Sequence, residues 1–199
     1  MSVTISKTKN QLIEVARLIF AQVGFDSTTM NDIARASGRG RRTLYTYFKN
    51  KREIYLAVVK TELDHLYNML LEVAEKDLPA DEKLMTFIYT RLDSVKDVVS
   101  RNGSLRANFF RDVRRVEKVR RDFDLRETEI LENILRRGIE EGIFEMPDPK
   151  IMAQVIHYAL KGLEIPYIQG VMGNTVSQRV RRRDNVIHLL FNGIKRKRK

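Results

Sequence analysis

The run TTMNDIARASGRGRRTLYTYFKNKREI, residues 28–54, constrains this chain more than any other stretch. It holds two short helical periods, a glycine-bearing turn and the start of a third helix. Thr29 stands where a helix N-cap is wanted, with Asp32 three residues on as a weak capping box. Met30, Ile33, Ala34 and Ser37 share one face of the helix that follows, and Gly38 stops it. Gly38-Arg39-Gly40 leads into a second short helix over residues 41–48. Two helices joined by a three- or four-residue turn containing glycine form a helix-turn-helix, the arrangement that places a reading helix in the DNA major groove.

At about 100° per residue, Leu44 and Phe48 fall together on the second helix and face the core. Arg42, Thr43 and Thr46 lie opposite them, with Arg41 close enough in the first turn to reach forward. Arginine suits bidentate contact to guanine O6 and N7, and threonine suits a thymine methyl group or a weak hydrogen bond. Arg41, Arg42, Thr43 and Thr46 are therefore the expected base readers. Tyr45 and Tyr47 flank that face, and Lys49 sits at its edge. An aromatic pair on a helix is ordinarily core, but these flanking angles favour phosphate contact on either side of a groove. Thr29, Lys51 and Arg39 complete the expected phosphate set.

The charge distribution agrees with a polyanionic partner. Net charge is +11, unevenly spread. Residues 1–52 carry ten Lys/Arg against three Asp/Glu, and residues 179–199 carry nine against one, so the 126 residues between are mildly acidic. A basic head and tail point to nucleic acid met from the N-terminal end. The tail Lys195-Arg196-Lys197-Arg198-Lys199 adds nonspecific phosphate attraction, and the basic run 111–121 reads as a solvated face.

Hydrophobic content of 43% with 32% charged residues fits a globular chain of 199 residues that can bury a core. The absence of cysteine excludes disulfides, thiolate metal sites and thiol redox chemistry. No apolar run reaches the roughly 18 residues of a membrane helix, and no signal peptide opens the chain. The expectation is a cytoplasmic protein with no membrane partner, no cofactor and no metal. His65, His157 and His188 are far apart, and neither HExxH nor GxSxG occurs. Gly38-Arg39-Gly40 lacks the strand and GK[ST] ending of a phosphate loop, so no catalytic residue is expected.

Helical spacing recurs throughout. Expected helices cover residues 7–23, 29–37, 41–48, 51–75, 82–100, 105–121, 125–141, 150–168 and 176–194. No stretch alternates with period two for long enough to make a strand. The expected class is all-α with about nine helices, divided into a DNA-binding domain over 1–50 and a helical domain over 51–199.

The segment GFDSTTMNDIARASGRGRRTLYTYFKNKREI resembles the DNA-binding segment of the tetracycline-repressor (TetR) family of bacterial regulators. The likeness rests on the threonine-led DIA helix and the TLYxYFxxK block. Arg39 and Gly40 depart from it, since many members have an aliphatic residue and a serine there. The resemblance implies a transcriptional regulator, acting as a homodimer on a palindromic operator in double-stranded DNA. Its dimer would form through the last two long helices, residues 150–168 and 176–194, and half-sites roughly 34–36 Å apart would fix the spacing of the reading helices. It further implies a repressor released by a small effector, apolar or amphipathic, bound among the helices after residue 51. Tyr67, Phe87, Phe109, Phe110, His157, Tyr158 and Tyr167 are the aromatic candidates for that pocket. The alternative is a nucleoid-organising or division-control protein on the same fold without a ligand.

Overall fold

A computed structural model describes residues 2–101 and 113–168, with isolated positions 185 and 188 beyond them. The described residues form seven helices and no strand: α1 (Ser2–Val23), α2 (Met30–Ala36), α3 (Arg41–Tyr47), α4 (Lys51–Glu75), α5 (Ala80–Arg101), α6 (Val113–Glu140) and α7 (Pro149–Ile168). The all-α expectation holds among the described residues, whereas the expected count of nine includes segments outside them. The two helices expected over 105–121 and 125–141 are one 28-residue helix where described, because no glycine or proline interrupts Arg121-Asp122-Phe123-Asp124. The helix expected over 176–194 lies outside the described residues except at Asn185 and His188, which are helical.

Packing divides the described residues between two units, drawn from Met1–Asp64 with Val98–Arg121 and from His65–Asp97 with Asp122–Lys199. In the first, Leu12, Ala16 and Phe20 of α1 are fully buried, as are Ile33 of α2, Leu44 of α3 and Ile54 of α4. Phe20, Phe25 and Tyr55 form an aromatic triangle with ring centroids 5.0–6.1 Å apart, which holds the turn after α1 against α4. That turn starts at Gly24, whose φ of 88° is left-handed, and Gly24 donates its N–H to Phe20 O at the end of α1.

In the second unit, Leu70, Leu84, Phe87, Ile88, Leu131, Leu135, Ile156 and Leu160 are fully buried. The α6 C-terminus is closed by carbonyl capping, with Ile143 and Phe144 N–H both donating to Gly138 O at 2.9 and 3.0 Å. Phe144 lies directly on Gly138, where an added Cβ would come within 2.1 Å of the ring, so only glycine fits there. Glu141 accepts from Ala80 N–H at 2.9 Å and from Arg137, capping α5. The backbone hydrogen bond and the guanidinium hold its carboxyl below the usual carboxylate range. At the start of α7, Asp148 Oδ1 accepts from Lys150 and Ile151 N–H, and Pro149 occupies the first helical position.

Candidate nucleic-acid interface and a buried polar cluster

The helix-turn-helix is built by local capping on one side and by its absence on the other. Thr29 caps α2 with a full capping box: its hydroxyl accepts from Asp32 N–H at 3.2 Å, and Asp32 accepts from Thr29 N–H at 2.9 Å. The hydroxyl also donates to that carboxylate at 2.6 Å, and these contacts lower the Asp32 pKa. Gly38 then turns the chain at φ +65°, a conformation costly for any residue with a Cβ. Gly40 sits at the N-cap of α3 in extended geometry with no side-chain cap. A Cβ at Gly40 would meet nothing within 4 Å. Gly40→Ser should therefore be accepted and should stabilise the chain by a few tenths of a kcal/mol through a hydroxyl cap. A rise in the thermal midpoint checks this; a fall would show that the extended turn is not the folded geometry.

On α3, Leu44 is fully buried and Phe48, its C-cap, is 3% exposed. Arg41, Arg42, Tyr45 and Thr46 are exposed, and Thr43 and Tyr47 are half-buried. Arg42 and Thr46 thus lie outward and Leu44 and Phe48 inward, whereas Thr43, expected outward with them, is half-buried. The Arg41 guanidinium lies 5.7 Å from the Tyr45 ring, which holds both side chains on one flank. Thr46 is exposed and donates its hydroxyl to Arg42 O at 2.9 Å. Arg39 in the turn is exposed and donates to Gln11 Oε1 of α1 at 3.2 Å. Lys49 is exposed, with its backbone N–H bound to Glu53 at 2.7 Å.

Lys51 has a different setting from the one expected. Its ammonium donates to the carbonyls of Phe25, Asp26 and Thr28 at 2.6, 3.2 and 2.7 Å, and lies 4.4 Å from the Phe25 ring. Three donors meet three acceptors, so the side chain ties the start of α4 to the turn between α1 and α2.

Of the aromatic candidates in the second unit, Phe87 is fully buried, and half-buried Tyr67 carries the Arg126 guanidinium 3.5 Å over its ring. Tyr158 faces solvent, at 67% exposed. His157 is buried beside Tyr158, with ring centroids 5.2 Å apart. The side chains of Phe109, Phe110 and Tyr167 lie outside the described residues.

His157 belongs to a cluster that periodicity did not single out. Arg91 is 1% exposed and donates through Nε to Glu127 Oε1 at 2.5 Å and through Nη2 to Glu164. Burial alone would push the Arg91 guanidinium down, but the two carboxylates outweigh it and raise its pKa. Glu127, fully buried, also bonds His157 Nδ1 through Oε2 at 2.6 Å. Asp124 Oδ2 accepts from Lys161 at 2.6 Å. The available signal was charge at inward helical positions: Arg91 lies in line with Leu84, Phe87 and Ile88, and Glu127 with Phe123, Ile130 and Ile134. Among the described residues, no group of His, Asp or Glu is arranged to hold a metal ion. No helix among them is long and apolar enough to cross a membrane.

Residues 12–58 match the family profile of bacterial regulatory proteins, tetR family, which spans the whole helix-turn-helix. The chain is 26% identical over 154 residues to the uncharacterized HTH-type transcriptional regulator YhgD of Bacillus subtilis, covering 74% of this chain and 78% of that one. It is 28% identical over 89 residues to IcaR of Staphylococcus aureus, the negative transcriptional regulator of the biofilm operon icaADBC, covering 45% of this chain and 48% of that one. A transcriptional regulator from Cytophaga hutchinsonii shares the fold, with a TM-score of 0.75 at 24% identity over 93% of this chain and 97% of that one.

Proposed function

We propose that this chain, a DNA-binding transcriptional regulator of the TetR family, works as a homodimeric repressor that a small effector releases from a palindromic operator. The observation that carries the DNA reading is the exposed face of α3, where Arg42 and Thr46 stand opposite the buried Leu44 and Phe48. Arg41, Arg42, Thr43 and Thr46 are assigned to base edges, and Arg39, Tyr45, Tyr47 and Lys49 to phosphates. Thr29 keeps a phosphate role through its exposed position at the α2 N-terminus, although its hydroxyl already donates to Asp32. Lys51 is assigned to holding the α1–α2 turn, because its ammonium is already surrounded by carbonyls. The division into a reading domain over 1–50 and an effector and dimer domain over 51–199 is part of the same proposal, as is a cytoplasmic location beside the chromosome. Repression is favoured over chromosome organisation by the likeness to IcaR, whose role is negative regulation of one operon.

A specific observation supports dimerisation. On α7, Ile151, Val155 and Tyr158 are 59%, 51% and 67% exposed, and they recur at helical spacing along one stripe. Gly162 continues the stripe, and a Cβ there would meet nothing within 4 Å. An apolar stripe ending in a small residue suits the close approach of a second copy. α4 is one unbroken helix with residues in both units, so an effector that shifts it reaches the DNA-binding end. Selection of bound duplexes from a random pool tests the reading: enrichment of an inverted repeat with half-sites about one turn apart is expected. Dispersed sites without a repeat would favour the organising role instead. Val155→Arg should turn the dimer into a monomer in sedimentation and weaken operator binding at least tenfold. A Val155→Arg dimer would refute the stripe as the interface.

A further inference from the structure

We infer that Arg91 and Asp124 form the polar subsite for an effector, and that the group they recognise is uncharged and carries both a hydrogen-bond acceptor and a donor. This rests on the effector reading above and gives that effector a chemical class. Arg91 Nη1 is buried and has no hydrogen-bond partner among the described residues, while the other two guanidinium nitrogens are bound to Glu127 and Glu164. Asp124 Oδ1 is buried without a partner as well, although Oδ2 is bound to Lys161. His157 Nε2 lies 3.8 Å from that Oδ1, beyond hydrogen-bond reach. A buried donor and a buried acceptor left unmade in one cluster both destabilise the folded chain. A ligand that satisfies both removes that cost, and this selects for an acceptor facing Arg91 and a donor facing Asp124.

Charge then narrows the class. Among the described residues, histidine aside, Arg91 and Lys161 are paired with Glu127, Glu164 and Asp124. A carboxylate ligand would set a second anion against the Asp124 carboxylate, whereas an ammonium would meet the unpaired N–H of Arg91 head-on. A carboxamide or a hydroxy-ketone on an apolar body avoids both. Phe123, 2% exposed and with its ring 5.5 Å from the Arg91 guanidinium, supplies an apolar wall. The Asp124 and Lys161 side chains retain 20% and 35% exposure, against 1% for Arg91. Occupancy also bears on oligomerisation, since Glu127 links Arg91 to His157, and His157 packs on Tyr158 of the exposed α7 stripe.

Calorimetric titration of the full chain with hexanamide, hexanoate and hexylamine tests this, on the wild type, Arg91→Lys and Asp124→Ala. Arg91→Lys keeps a cation between Glu127 and Glu164 but lacks the free nitrogen arm. Asp124→Ala removes the acceptor at the more open end and decides the matter if Arg91→Lys does not fold. Hexanamide is expected to bind the wild type more tightly than either charged analogue, and about tenfold more weakly to each variant. Tighter binding of hexanoate or hexylamine, equal hexanamide affinity in wild type and variants, or no hexanamide binding would overturn the assignment. Specific operator binding, measured on the same wild-type sample, separates the two proposals. If it persists while hexanamide fails, only the subsite falls; if it is absent, the regulator reading itself fails.

Discussion

Glu127→Ala is expected to destabilise the second unit by about 3–5 kcal/mol, the usual cost of stranding one member of a buried ion pair. Glu127 is fully buried and one carboxylate serves two partners, Arg91 Nε at 2.5 Å and His157 Nδ1 at 2.6 Å. Its loss leaves a buried guanidinium held by Glu164 alone and a buried imidazole with no partner on that side. Urea unfolding should show a lower midpoint at unchanged slope. Glu127→Gln should recover part of the loss, since the amide oxygen still accepts from Arg91. A Glu127→Ala midpoint equal to that of the wild type would mean that the carboxylate does not bridge α5 and α7. The magnitude reflects desolvation more than attraction: replacing the whole cluster with apolar side chains of similar volume would cost far less than removing its centre.

Arg42→Ala should cost about 1–3 kcal/mol of discrimination at one base-pair position and leave nonspecific binding nearly unchanged. The side chain is exposed on the face of α3 opposite Leu44, in the first turn of the helix, where reading helices approach base edges. Competition between the selected operator and its single-position variants checks this. A uniform loss across all sequences would move Arg42 to the phosphate set, and no loss at all would remove it from the interface.

The helix-turn-helix was legible because its determinants are local. Thr29 and Asp32 are three residues apart, Leu44 and Phe48 four, and glycine marks the turn between the helices. The face of α3 then follows from helix geometry alone. Helix ends without a strong marker were less legible. The expected break near residue 121 came from a charged stretch in which Val116 and Phe123 are the only fully buried apolar side chains over two turns, too sparse a signal to show continuity. The Arg91 cluster was out of reach for another reason, since its partners lie 36 and 73 residues away. A sequence shows that Arg91 and Glu127 occupy inward positions, but not that they meet. Lys51 is the limiting case. Its acceptors are backbone carbonyls, which every residue carries, so no side-chain pattern announces them.

That lysine changes how the basic head should behave in solution. Counterions released when a protein binds DNA come from the phosphates it neutralises, so the ionic-strength dependence counts only cations that reach the backbone. Of the ten Lys/Arg in residues 1–52, Lys51 is enclosed by the α1–α2 turn and Arg17 is engaged by Glu14 and Glu62. The steepness of that dependence is therefore set by fewer groups than the formal charge of the head suggests. A regulator so built gives up some indiscriminate hold on the chromosome and rests more of its occupancy on the operator's bases.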